Sequence, residues 1–309
     1  MKLNRLFLLA PVILSCFAAS TTLHAESDPA YQHSIEDWRA ERLADLKGPD
    51  GYLNLVGLFW LQPGATSFGA AHDNDLVFPG AGLARLGEFR LGDEGVSMTV
   101  ASNAGVTVAG RPVISVLMPD DTEDDAITAQ HGSLAWNVVR REDRYAIRLR
   151  DYSSPALAAL TAIPHYDVDS RWRVDAVWSP YAEPRVVAVG TVIAGLGWNP
   201  VSPGVVEFEI GGEIHSLEAY ESGDSLFFVF GDQTSGRGTY PAGRFLYADL
   251  PQPGSTTVLD FNRAYNPPCA FNDFSTCPVA APRNRLKVAV TAGEKYGQSL
   301  QLPESAAAH

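Results

Sequence analysis

The sequence is short of cysteine, of positive charge and of long apolar runs. Three cysteines in 309 residues exclude a disulfide-stapled scaffold as the main source of stability. Lys and Arg number 23 against 36 Asp and Glu, giving a net charge of −13. A surface that acidic argues against nucleic acid and against anionic membrane faces as partners. Charged residues are 19% of the chain and hydrophobic ones 46%, which excludes wholesale disorder. Beyond the first 25 residues no stretch approaches 18 apolar residues, so no transmembrane span is expected in the remainder.

Standard catalytic signatures are missing as well. There is no Gly-x-Ser-x-Gly, no His-Glu-x-x-His, no phosphate loop and no dinucleotide fingerprint. His33, His72, His131, His165, His215 and His309 are isolated, none with a second histidine or cysteine at ligand spacing. No metal and no cofactor is expected, and a conventional serine or zinc hydrolase has no positive support.

What is present begins with an export signal. Lys2 and Arg5 precede an apolar run over residues 6–19, and Leu23-His24-Ala25 offers a cleavage point. Residues 1–25 therefore read as a secretory signal, and the protein as periplasmic or secreted. The alternative takes Ile13-Leu14-Ser15-Cys16 as a lipoprotein box, with lipidated Cys16 as a membrane tether. Cleavage after Ala25 leaves Cys269 and Cys277, a pair expected to form a disulfide in an oxidising compartment. A metal or nucleophilic pair is the other reading, at a wider spacing than zinc pairs prefer.

The periodicity predicts a helix over residues 34–46, capped by Ser34 and striped by Ile35, Trp38, Leu43 and Leu46. Short strands follow, separated by turns that draw on 27 Gly and 21 Pro. Gly211-Gly212 marks a hairpin, residues 153–160 a helical turn at a boundary, 120–125 a solvated acidic loop and 286–291 the last strand. No helical crossover pattern appears. The expected fold is all-β and mainly antiparallel, with two sandwich-like halves and one N-terminal helix. The expected organisation is signal 1–25, helix and first half 34–152, second half 153–297 and tail 298–309.

The richest polar segment lies after residues 256–261. Asp260, Asn262, Arg263, Tyr265 and Asn266 place five hydrogen-bonding side chains beside Pro267-Pro268. Arginine offers a planar fork for a carboxylate or phosphate, and Asp260 can orient it or act as a base. Tyr240 and Arg244 are further candidates, and Asn284, Arg285 and Glu294 would be folded back toward them by a Cys269–Cys277 loop. The same side chains can instead hold an irregular segment in place. Arg263 has more potential partners than Arg244, so its removal is expected to cost more stability.

Three stretches carry a resemblance. They are Asp50-Gly51-Tyr52-Leu53-Asn54-Leu55-Val56-Gly57-Leu58-Phe59-Trp60-Leu61, Thr239-Tyr240-Pro241-Ala242-Gly243-Arg244-Phe245-Leu246, and Leu259-Asp260-Phe261-Asn262-Arg263-Ala264-Tyr265-Asn266-Pro267-Pro268-Cys269-Ala270-Phe271. Together the chain resembles, from Trp38 to Lys295, a bacterial family catalogued as domain of unknown function 1684. That resemblance implies no activity. Leu61-Gln62-Pro63-Gly64, Phe68-Gly69 and Asn74-Asp75-Leu76-Val77-Phe78-Pro79 are similar to the rhythm of a forkhead-associated β-sandwich, which implies fold alone. Ala70 and Ala109 stand where that family's arginine and asparagine would be, which argues against phosphopeptide binding.

Two functions stay open. One is an exported module that binds a small or peptidic ligand or a cell-envelope component. The other is a hydrolase with Asp260 or Glu294 as base and Arg244 and Arg263 as electrostatic stabilisers.

Overall fold

The computed structural model describes residues 28–297; the expected signal segment, Cys16 and the tail lie outside the described residues. Helix α1 (Pro29–Lys47) begins before the expected Ser34. Asp28 accepts from the Ala30 N–H (3.0 Å) and Pro29 occupies the first turn, where its missing N–H costs nothing. Ser34 is inside the helix and donates to the Tyr31 carbonyl (2.7 Å). Of the apolar stripe, Ile35 and Leu46 are buried.

The first half packs two sheets face to face. One runs β1 (Leu55–Trp60), β11 (Arg144–Asp151), β10 (Leu134–Arg141), β9 (Ala129–His131), β6 (Thr107–Val108) and β7 (Arg111–Pro112). The other runs β3 (Leu76–Val77), β2 (Gly64–Gly69), β4 (Gly87–Gly92), β5 (Gly95–Val100) and β8 (Ser115–Met118). All pairings are antiparallel except β2 with β3. Their inner faces share a core in which Phe68 and Phe89 stack at 4.2 Å and Trp136 meets Phe78 edge-on at 5.5 Å. In the 120–125 loop, Asp120 is buried rather than solvated and accepts from the Thr122 N–H and hydroxyl.

A short helix α2 (Ala156–Ala159) leads into the second half. There one six-stranded antiparallel sheet runs β18 (Arg244–Asp249), β17 (Ser225–Phe230), β16 (Glu213–Ser222), β15 (Val201–Ile210), β12 (Arg173–Val186) and β19 (Thr256–Asp260). Its edges approach each other, with Thr257 donating to the Asp249 carbonyl (2.8 Å). The sheet therefore wraps one core, to which Trp178, Phe208, Leu217, Phe228, Leu246 and Leu259 contribute from all six strands. Its outer face carries a second apolar cluster around Tyr220, Val229 and Phe245, covered by residues 187–198 and 269–280. Strands β13 (Val189–Gly190) and β14 (Gly197–Trp198) form a small ribbon in that cover.

Residues 286–291, expected as a strand, are irregular. Their backbone bonds go to loops: Leu286 donates to Gly231, and the Val288 carbonyl accepts from Gln233. The Val290 carbonyl is taken by Arg244 (3.0 Å), so no ladder partner remains for it.

Candidate functional site

The polar segment begins where β19 ends. Asp260 Oδ1 caps the turn Phe261–Arg263 by accepting from the Asn262 N–H (3.1 Å), and it also accepts from the Tyr31 hydroxyl (2.7 Å). Burial and the facing carboxylate push the Tyr31 hydroxyl pKa up. Asn262 is fully buried; its Nδ2 donates to Tyr31 Oη (3.0 Å) and the Asp169 carbonyl (2.9 Å), and its Oδ1 accepts from the Asp169 N–H (3.1 Å). These bonds fasten α1 and the 169 turn to the end of β19.

Glu294 is the second node. It is fully buried, with Oε2 accepting from the Asn266 N–H (2.7 Å) and Oε1 from Arg42 Nε of α1 (3.3 Å). Arg42 also donates to the Asn266 carbonyl (3.0 Å) and lies 4.5 Å over the Tyr265 ring. Burial pushes the Glu294 carboxyl up, while Arg42 and the Asn266 N–H pull it back. Asn266 Nδ2 reaches the Lys295 carbonyl (2.9 Å). His165 bridges backbone to backbone with Glu294, and burial lowers its pKa to about 4.

Arg244 is a core residue. Its side chain is 1% exposed, on the inner face of the sheet, paired with Asp232 at 3.0 Å. It donates to the carbonyls of Val290 (3.0 Å), Glu294 (3.4 Å) and Ala292, and thereby ties the irregular 288–294 segment to β18. Burial lowers its pKa and Asp232 opposes that. Arg263, in contrast, is 42% exposed and meets Asp260 only at 3.6 Å. The geometry therefore favours Arg244 over Arg263 as the structural residue, since Arg244 draws its partners from distant segments while Arg263 meets only Asp260 of its own.

The remaining candidates separate. The Tyr240 hydroxyl donates to the Cys269 carbonyl (3.1 Å), and burial raises its pKa to about 12. Tyr265 packs edge-on against Phe245 and stacks on Tyr247. Asn284 is buried against β16, far from the Asp260 node in its bonding: Oδ1 accepts from the Glu218 N–H and Nδ2 donates to the Glu218 carbonyl, both at 2.9 Å. Arg285 is exposed beside Gly231. Only Glu294 of the three C-terminal candidates joins the polar segment. Cys269 and Cys277 stand at disulfide distance, Cα atoms 6.1 Å apart.

Two features escaped the sequence reading. The first is a groove of about 530 Å³ at the seam of the halves. Trp198, Phe227, Phe245 and Pro278 of the second half face Arg141 and Glu142, at the β10–β11 hairpin end of the first. Thr191 and Asn199 also line it. Arg141 holds the seam by pairing with Asp121 (2.8 Å) and donating to Thr276 (3.2 Å). None of the ten sequence candidates lines this groove. The second feature is Glu218, buried on the outer face of β16 and paired with Arg185 and Arg283, each at 2.9 Å. Both features combine residues dispersed over the sequence, and no local pattern announces them.

Residues 158–295 match the family described as Protein of unknown function (DUF1684). The match covers the second half and leaves outside it residues 50–61, one of the three stretches that carried the resemblance. No curated protein matches the chain. Among solved structures, an uncharacterized protein of Haloarcula marismortui, determined by solution NMR, is 28% identical. That alignment covers 45% of this chain and 78% of the other, with a TM-score of 0.39.

Proposed function

We propose, from the premise that the chain belongs through residues 158–295 to the DUF1684 family, that it is an exported, non-catalytic module binding a small ligand at the seam groove. The observation that carries this reading is a concave lining in which Trp198, Phe227 and Phe245 stand together with the polar residues Thr191 and Asn199. A concave apolar surface with a few convergent polar groups is the usual form of a ligand site. Trp198 is held edge-on to Tyr220 (5.1 Å) and Phe227 (6.1 Å), so this part of the lining is rigid before a ligand arrives. Such a seat suits a ligand with one flat apolar face and polar edges, as a cell-envelope fragment has.

The hydrolase alternative has less support. Glu294 has the raised pKa of a general base, but it is enclosed and both its oxygens are occupied. Asp260 is committed to Tyr31 and to its own turn. Arg244 faces the core.

The test is a thermal-shift screen of cell-wall and oligosaccharide fragments, followed by Trp fluorescence titration. A ligand at 100 times its Kd should stabilise the protein by about 2.7 kcal/mol. Trp198→Ala should abolish that shift while the protein stays folded. Turnover of an ester or amide substrate that is lost in Glu294→Gln would replace this reading with the hydrolase.

A further inference from the structure

We infer that Arg185 and Arg283, arranged around Glu218, form a binding site for a small oxyanion, a carboxylate or phosphate. The site is separate from the seam groove and does not depend on it.

The Glu218 side chain is 1% exposed, whereas Arg185 and Arg283 keep 52% and 50% of theirs in solvent. One cation suffices to compensate a buried carboxylate; this one has two. Arg185 Nη2 meets Oε1 and Arg283 Nη1 meets Oε2, each at 2.9 Å. Each oxygen of the one carboxylate thus faces its own guanidinium, and about half of each arginine side chain remains in solvent. That pair of forks matches the geometry of a second, incoming oxyanion.

The forks are fixed in advance. Arg185 lies 4.1 Å over the Tyr181 ring and donates to its hydroxyl (2.7 Å), which in turn donates to Glu218 (3.1 Å). Arg283 precedes Asn284, whose side chain is doubly bonded to the Glu218 backbone. The segment carrying Arg283 is thus locked to the strand carrying Glu218. Preorganised groups lose less freedom on binding.

Two further observations point outward to a ligand. Arg285, exposed two residues on, forms no ion pair among the described residues. Arg283 and Arg285 thus put two cations on the short segment that Asn284 fastens to Glu218, in a chain of net charge −13. Two residues along β16 from Glu218, the Tyr220 hydroxyl is fully buried and has no hydrogen-bond partner among the described residues. It lies within electrostatic reach of both Glu218 and Arg283. Buried polar groups normally have partners, and an orphan beside a surplus of cations is a place for an anion.

The experiment is calorimetric titration of the full chain with inorganic phosphate. Saturable binding is expected, weakened about tenfold or more by Arg185→Gln and by Arg283→Gln and unchanged by Arg237→Gln at a distant exposed arginine. Tyr220→Phe should weaken binding with the melting temperature retained, since it removes an unpartnered hydroxyl. If an arginine variant fails to fold, Tyr220→Phe and Arg285→Gln decide, because neither touches the Glu218 ion pairs. Absence of saturable phosphate binding, or affinity unchanged in these variants, overturns the site. A co-sedimentation arm with phosphatidylglycerol vesicles separates the sources. Release from vesicles by free phosphate supports a shared oxyanion site, and binding to vesicles alone overturns the small-ligand assignment.

Discussion

A guanidinium is worth what surrounds it, and Arg244 and Arg263 show the two extremes. Arg244 is enclosed with Asp232 and three backbone carbonyls, so truncation strands a buried carboxylate. Arg244→Ala should cost about 3–5 kcal/mol, the range for breaking one side of a buried ion pair. Arg263 is 42% exposed, with a single 3.6 Å contact. Its truncation should fall within about 0.5 kcal/mol, as surface substitutions do. Urea denaturation of the two alanine variants checks both values, and equal costs would refute the assignment. The same contrast explains how far the candidate site was legible. Asp260, Asn262, Asn266, Asn284 and Glu294 were visible as polar residues in an odd setting. Their partners lie on α1, on β16 and in the 169 turn, and nothing local in the sequence specifies those. Four of them, Asn262, Asn266, Asn284 and Glu294, are fully buried fasteners. Of the groove aromatics, Phe227 and Phe245 were legible only as members of strands, and nothing local marked Trp198.

At the scale of elements, alternation and turn glycines carried most of the reading. Strands over 134–140, 145–150, 213–220 and 225–230 were legible from apolar or alternating runs between turns, although β10 and β16 bury residues of both faces. β2 was missed: Gly64-Ala65-Thr66-Ser67 has little apolar character and depends on β4 for its ladder. Residues 286–291 misled because their apolar side chains serve the core while their backbone serves loops. Helix α1 was found but started late, since Asp28-Pro29 is a start signal lying outside the apolar stripe. Its attachment is polar: Tyr31 to Asp260, Arg39 to the Tyr166 carbonyl (2.9 Å) and Arg42 to Glu294. This makes the docking of α1 pH-dependent. Burial raises the Glu294 pKa in the folded protein, so folding favours its neutral form more than the unfolded chain does. Its contribution to stability is present at acid pH and is lost as pH rises through the raised value. Arg42 offsets that loss. Arg42→Ala should therefore destabilise by about 3 kcal/mol at neutral pH, and by progressively less as the pH is lowered and Glu294 protonates. Thermal unfolding of both proteins across pH measures it; a difference independent of pH would refute the account.

At the scale of the whole molecule, the halves meet along a seam that Arg141 spans from Asp121 to Thr276, next to the Cys269–Cys277 pair. Apart from the β13–β14 ribbon, the cover beside the seam is largely irregular backbone, fastened in part by side chains. Closing an eight-residue separation with a disulfide stabilises by about 2–3 kcal/mol on the chain-entropy model, which suits a segment with so little regular structure. A bond of that kind persists outside the reducing cytosol. The proposed export and the bridge therefore belong to one argument, and they can be tested together on protein recovered from its native host. Intact mass should correspond to a chain beginning at Glu26, and thiol titration of the unfolded protein without reductant should find no free thiol. A diacylglyceryl group on Cys16 would replace cleavage at Ala25 with a lipid anchor and leave the oxidising compartment in place. Two free thiols would remove the bridge from the native protein and, with it, one argument for the proposed export.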